Sequence, residues 1–361
     1  MMIKRDEIIK PQKYISPMPI PPGDTIKDFI DELGMSQKEL AKRMGLSEKH
    51  LSHIISGMTP ISMDVAEKLQ TCLGVKARFW INLENDYREA LYRSIPPTIT
   101  DDEKAIAQQI PYSEICKMGK LEPTKKIDSK VINLREFFGV INLTTISDIN
   151  VAYRKANICN ENKYALLAWI RIAEINAQSL KTESYSRRKL EKAVPEFRRL
   201  TLEDPEVFYS KLVDLCANSG IALVVSNHIK GTGVNGVTFL NSKRNKVIIQ
   251  LSVRGKYADK FWFTFFHEIS HILMDESSSF DYIDCDEEVE KKVDAMAADL
   301  LIPNDRYREF LRKHRYDDIL EIRRFANDVG IHPCIVIGRL KYEERIPYTF
   351  FTKDAPKFVI Q

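Results

Sequence analysis

The chain has little of what marks secreted or membrane proteins. Its 361 residues include six cysteines (Cys72, Cys116, Cys159, Cys216, Cys285 and Cys334) with no C-x-x-C pair among them. That scatter argues against a disulfide framework or a cysteine-held zinc, and fits reduced, buried thiols in a cytoplasm. No apolar run reaches transmembrane length. The first residues, with Lys4, Arg5, Asp6 and Glu7, lack the apolar core of a signal peptide. A one-sided charge is missing as well. The net +3 at pH 7 is too small to argue nucleic-acid binding, so a local cluster has to carry that argument. Histidine is scarce too, at seven residues.

What is present is ample for folding. A 44% hydrophobic share supports globular cores, and 29% charged residues is ordinary for a soluble chain. The length suggests two or three domains.

Two of the seven histidines stand in His267-Glu268-Ile269-Ser270-His271, inside the apolar run from Phe261 to Met274. In a helix, residues i and i+4 share a face, so both imidazoles reach one point. This is the zincin arrangement: two histidines on Zn²⁺, with Glu268 as general base for the attacking water. A third protein ligand and an open fourth position are then required. The next acidic stretch, Asp284 to Asp294, runs into small and apolar residues at 293, 296, 297, 300 and 301. That spacing predicts a second core helix, stopped by Pro303. Glu290 on it is the candidate third ligand, with Glu287 and Glu288 as alternatives. Asp294, one turn on, is placed to accept the free N–H of a ligating histidine. Cys285 lies close by, but as a ligand it would close the open position.

Residues 201 to 348 resemble the ImmA/IrrE family of metallopeptidases, which pairs H-E-x-x-H with a helix reading E-x-x-A-N-x-F-A-x-x-L-L-x-P. The counterpart here is Glu290 to Pro303, with Val293 for Ala, Asp294 for Asn and Met296 for Phe; Ser270 stands where Gly is common. The resemblance implies one zinc ion and endopeptidase activity. None of the departures removes a catalytic role, although Ser270 bears on how closely the two helices approach.

Runs at Ile221–Ser226, Gly236–Leu240 and Lys246–Leu251 predict a small sheet feeding the zinc helix. Zincins often add an extended peptide to a sheet edge, and Gly231-Thr232-Gly233 supplies a loop near it. His228, beside that loop, is read as a surface residue before an oxyanion stabiliser. Arg254 and Tyr257 receive no role.

The other end of the chain carries a second signal. Ser36 and Ser47 are N-caps, Glu39 completes a capping box, and Gly45 allows a left-handed turn between two short helices. Leu40, Ala41 and Met44, then Leu51, Ile54 and Ile55, form the apolar faces. This is a helix-turn-helix, whose second helix is expected in the DNA major groove. Glu48, Lys49, His50, Ser52 and His53 are the candidates for base edges. Gln37, Lys42, Arg43 and Ser47 complete the contact set, with Lys42, Arg43 and Lys49 meeting phosphate. Residues from Ile20 to Arg93 resemble the HigA branch of lambda-repressor-like (XRE) regulators, through Pro22-Gly23-Asp24-Thr25-Ile26, Thr59-Pro60-Ile61-Ser62 and Phe79-Trp80-Ile81-Asn82-Leu83. The resemblance implies an antitoxin that binds its own operator and neutralises a toxin.

The expected fold is mainly α and multi-domain: a helix-turn-helix bundle, a helical middle region and an α+β zincin-like domain. The boundaries are an arm at 1–19, DNA-binding domain 20–93, linker 94–125, helical region 126–200, metallopeptidase domain 201–345 and tail 346–361. After Pro303, residues 322–340 form another helix-turn-helix-like hairpin, read as packing, with His332 as a surface turn residue.

The leading reading is a cytoplasmic, homodimeric regulator that binds palindromic operator DNA. Its zinc endopeptidase domain would cut a repressor, a toxin or the chain itself. The alternative is a non-proteolytic antitoxin that uses the peptidase fold as a toxin-binding or ligand-sensing scaffold. A third reading has metal occupancy regulating DNA binding. No membrane partner is expected.

Overall fold

The computed structural model describes residues 19–148, 163–241, 245–252, 257–275, 287–313 and 315–354. The amino-terminal arm up to residue 18, Arg254, Cys285, most of the 241–245 turn and the end of the tail lie outside the described residues. The chain divides into two compact units, Met1–Thr98 and Ile99–Gln361.

Among the described residues, the first unit holds five helices: α1 (Pro22–Glu32), α2 (Gln37–Met44), α3 (Glu48–Ile55), α4 (Met63–Leu73) and α5 (Ala77–Ser94). Side-chain caps set the starts of α2, α3 and α4, while α1 opens on Pro22. Ser36 accepts from the Glu39 N–H, Ser47 from the His50 N–H and Ser62 from the Val65 N–H. Gly45, with φ 66°, closes α2. Glu39 does not complete a capping box; its carboxylate pairs with Arg43 instead. The segments that looked most specific in sequence each have a packing reason. A Cβ on Gly23 would lie 1.8 Å from the Ile55 carbonyl oxygen, so only glycine lets α1 meet the end of α3. Ile61 is buried beside the Ser62 cap. Trp80 is fully buried, and its indole N–H donates to the Val75 carbonyl at 3.2 Å.

The second unit is built on a three-stranded sheet. Its strands are β1 (Ile221–Ser226), β2 (Gly236–Leu240) and β3 (Val247–Ser252), in the order β1-β3-β2. β1 runs parallel to β3, with Leu223 opposite Ile249; β2 runs antiparallel to β3, with Thr238 opposite Ile249. Alternate residues supply two different cores. Leu223, Leu240, Ile249 and Leu251 face one of them. This core is filled by α10 (Arg187–Leu200), α11 (Pro205–Asn218), α12 (Ala258–Met274), α13 (Glu287–Leu301), α14 (Asn304–Lys313), α15 (Ile319–Val329) and α16 (Pro333–Tyr342). Ala222, Val224, Val237, Phe239 and Ile248 face the other. It is filled by α6 (Asp101–Gln109), α7 (Tyr112–Lys117), α8 (Ile127–Phe138) and α9 (Lys163–Ala177).

This arrangement revises the sequence boundaries. The stretch 94–125, read as a linker, carries α6 and α7, whose Ala107, Ile110, Tyr112 and Ile115 are buried against α8 and α9. The region 126–200 is likewise no separate body. α9 covers one side of the sheet, and α10 packs in the core on the other side. Only the exposed residues 95–98 remain as a break between units. His332 is the cap of α16 rather than a plain surface residue: its Nδ1 accepts from the Cys334 N–H at 3.1 Å.

A buried ion pair ties the start of the second unit together. Glu103 has no exposed surface and accepts from Arg135 Nε and Nη2 at 2.8 and 2.6 Å, and from the Leu143 N–H at 3.0 Å. The Arg135 guanidinium outweighs the cost of burial and holds the Glu103 pKa down at about 2, against an ordinary 4.5. Removing one partner of such a pair costs about 3–5 kcal/mol. Glu103→Ala is therefore expected to lower unfolding stability by that order at pH 7. Because the folded pKa is depressed, the contribution is complete above pH 4.5 and is lost as pH falls toward about 2. Denaturant titrations of both proteins at several pH values will show the deficit shrinking through that window.

Candidate metal centre

Helix α12 is apolar over most of its surface: Phe261, Trp262, Phe265, Phe266, Ile269, Ile272 and Leu273 are buried. His267 and His271 fall one turn apart on the side left for α13. That helix buries Val293, Ala297 and Leu301, a four-residue repeat on a single face. The packing brings Glu290 and Asp294 to the histidines. Ser270 is fully buried, and its hydroxyl turns back on its own helix, donating to the Phe266 carbonyl at 2.7 Å.

Three donor side chains converge. His267 Nε2 and His271 Nε2 are 3.2 Å apart, Glu290 Oε2 is 3.2 Å from the first, and Glu290 Oε1 is 3.3 Å from the second. Among the described residues, these three form the group able to hold a metal. For tetrahedral Zn²⁺ with bonds of about 2.0–2.1 Å, donor atoms should lie about 3.3 Å apart. The spacing and the two-nitrogen, one-carboxylate chemistry therefore fit zinc, with a fourth position left open. Asp294 Oδ1 lies 2.8 Å from His267 Nδ1. It accepts that N–H and so leaves Nε2 as the ligating atom. Glu287 and Glu288, the alternative acids, are exposed at the start of the helix.

The charges answer one another. Burial opposes an imidazolium at His267, but its hydrogen bonds to Asp294 and Glu290 prevail and raise its pKa to about 10. Burial also works to raise Glu290, but its bonds to both histidines bring it down to about 2. Burial pushes Glu268 above the ordinary carboxylate range, with the nearby histidines and Thr238 opposing it.

Two residues that hold Glu268 carried no signal in the sequence. Thr238, fully buried on β2, donates its hydroxyl to Glu268 Oε2 at 2.7 Å. Gly236 begins the same strand. A Cβ there would lie 2.5 Å from Glu268 Oε1 and 2.7 Å from the Thr264 methyl, so the strand approaches this closely only because the side chain is absent. The sheet register creates both contacts, and no local spacing announces them. Glu268 and the three donors line a cleft of about 350 Å³, walled also by 233–237, Phe263, Thr264 and Leu166 of α9. His228 is not among the lining residues; its Nδ1 lies 3.2 Å from Thr232 Oγ1 within its own loop. Tyr257 is partly exposed beneath Lys260, also outside the cleft.

In the first unit, the nine residues singled out for DNA all lie outside the core. Lys42, Arg43, Ser47, Glu48, Lys49, His50 and Ser52 are exposed, while Gln37 and His53 are half-buried. Glu48 lies 3.5 Å from Lys38, and the Ser47 hydroxyl is engaged as the cap of α3.

Comparison with known proteins separates the same two parts. Residues 26–80 match the helix-turn-helix family model, and residues 223–341 match the IrrE N-terminal-like domain. The HTH-type transcriptional regulator YddM of Escherichia coli K12 is 33% identical over 64 residues, covering 18% of this chain and 68% of that protein. Antitoxin HigA-1 of Vibrio cholerae is 32% identical over 68 residues, covering 19% of this chain and 64% of that one. The structure of PA4674 from Pseudomonas aeruginosa with its operator DNA is 29% identical, covers 21% of this chain and 84% of that one, and has a TM-score of 0.21.

Metal analysis of the purified chain tests the donor set. Glu290→Ala is expected to lose stoichiometric zinc. Asp294→Ala should keep the ligands but weaken affinity by about 10- to 100-fold, read by competition with a chromophoric chelator.

Proposed function

Because the chain belongs to the helix-turn-helix family of transcriptional regulators through its first unit and carries an IrrE N-terminal-like domain in its second, we propose that it is a DNA-binding, antitoxin-type regulator whose zinc-dependent endopeptidase domain cleaves a regulatory protein. The observation that carries the enzymatic half is the triangle of His267, His271 and Glu290 donors in one cleft with Glu268. The substrate class is a repressor, a toxin or the chain itself, encountered in the cytoplasm.

Zinc held by this donor set would supply Lewis acidity and a water of lowered pKa. Glu268 is the base that would take up its proton. Its Oε2 is held by Thr238, so the oxygen above Gly236 is the one left for the transfer. The raised pKa of Glu268 suits a base that must later return the proton to the departing amine. Asp294 keeps the His267 ring in one tautomer throughout. β2 is an edge strand of the described sheet and the one that carries Gly236 and Thr238 beside Glu268, so an extended peptide laid along it would present its carbonyl to the centre.

In the regulatory half, α3 enters the major groove of a palindromic operator and a homodimer reads two half-sites about one helical turn apart. Lys42, Arg43 and Lys49 meet phosphate, and Gln37, Ser47, Glu48, His50, Ser52 and His53 lie at the groove. A cognate toxin is the expected protein partner.

Glu268→Gln separates this reading from a scaffold that cuts nothing. Cleavage is expected to fall by about 10²- to 10⁴-fold, while zinc content and gel shifts of the chain's own promoter DNA stay unchanged. Toxin neutralisation that survives the variant would assign that role to binding, and a wild-type chain that cuts neither partner nor itself would overturn the enzymatic half. Lys42→Ala and Lys49→Ala should each weaken promoter binding and lower the salt slope of log K by about 1.

A further inference from the structure

The helices before the sheet do more than cover it. The sheet separates two cores, and the cleft is walled by members of both. On the α12 side it presents Phe263 and Thr264 along with the histidines and Glu268. On the α9 side it presents Leu166 and Val237, both buried, with half-buried Val234 packed against the same core. The cleft therefore wraps around the start of β2. Among the described residues, every ionisable side chain lining it (His267, Glu268, His271, Glu290 and Asp294) comes from α12 or α13. The side chains it takes from the α9 core are apolar; Asn235, exposed just before β2, and Thr264 are the uncharged polar side chains of the described lining.

An extended chain beside β2 sends alternate side chains to opposite faces of the sheet. One set faces the imidazoles and carboxylates, and the next residue in each direction faces Val234, backed by the buried Leu166 and Val237. A polar side chain there would give up its water without gaining a partner. Resting on the peptidase reading above, we infer that Leu166, Val234 and Val237 form the specificity pocket of the cleft, which takes a bulky aliphatic side chain from a residue flanking the bond to be cut. The substrate class narrows to extended segments carrying leucine, isoleucine or methionine at that position. The middle region thereby becomes part of the active unit through Leu166.

The test uses the zinc-loaded full chain and short peptide hydroxamates, whose zinc-binding group allows affinity to be measured whether or not anything is hydrolysed. Four probes differ only in the side chain next to the hydroxamate: leucine, phenylalanine, alanine or aspartate. Calorimetric titration should rank leucine over alanine by about 10- to 100-fold, with aspartate weakest. Val234→Asp, at the half-exposed rim, should erase the leucine advantage while zinc content stays the same. Leu166→Ala should shift the preference toward a phenylalanine probe; if that variant does not fold, Val234→Asp carries the test alone. Equal affinity of the wild type for leucine and alanine probes, or an unchanged ranking in Val234→Asp, overturns the pocket. A leucine preference without hydrolysis of the matching amide peptides supports the pocket and counts against the peptidase reading. Hydrolysis without side-chain preference does the reverse.

Discussion

The close packing of α13 on α12 is the contact on which the metal centre depends. The histidines are placed by their own helix, since i and i+4 share a face in any helix. The third donor is not local. Glu290 reaches the Nε2 atoms because Val293, Ala297 and Leu301 let its helix settle against α12. A larger residue at Ala297, which has no exposed surface, would push Glu290 and Asp294 away together. The hydrogen bonds at the centre reinforce the packing. Glu290 without the histidines would be a half-buried carboxylate with little compensation, and His267 without Asp294 would have no fixed tautomer. A metal held by these three donors would thus be coupled to helix packing.

The sequence disclosed what rests on short-range spacing and missed what rests on the sheet. The H-E-x-x-H motif, the Glu290–Asp294 pair and the caps at Ser36 and Ser47 all follow from helical periodicity within a few residues. Thr238 and Gly236 could not be read that way. They sit some thirty residues before Glu268 and meet it only because β2 packs against α12. Leu166 is farther still in sequence; in the chain it is one apolar residue among many in α9. The stretch 94–125 was misread because the prolines after Ser94 suggest a long linker, while a Thr100 capping box restarts helix six residues later. At Glu39 the capping-box pattern was present, but Arg43 on the same face competed for the carboxylate.

The two helix-turn-helix-like hairpins show how one local pattern serves opposite ends. Ala41, Gly45, Leu46, Leu51 and Ile55 have counterparts in Ala326, Gly330, Ile331, Val336 and Leu340 at the same spacing. Gly45 and Gly330 both adopt a left-handed turn, with φ of 66° and 78°. The difference lies on the second helix. Lys49, His50 and Ser52 are exposed, whereas Cys334, Ile335 and Ile337 in the matching positions are buried in the core with α12. The carboxyl-terminal pair has spent its outer face on packing, and its Arg339 donates to the Ala298 and Ile302 carbonyls at the end of α13.

The two-sided burial of the sheet sets where this molecule can be divided. A fragment cut to begin at residue 201, the boundary expected from the sequence, would strip α9 from the strands and leave Ala222, Val224, Val237, Phe239 and Ile248 bare. Such a surface invites sticking rather than independent folding. The short exposed stretch from Ile95 to Thr98 is different, since the cores on either side of it are complete without it. A single scission there would yield two finished bodies and end their covalent tie at one stroke, an outcome that no cut between residues 126 and 200 could match.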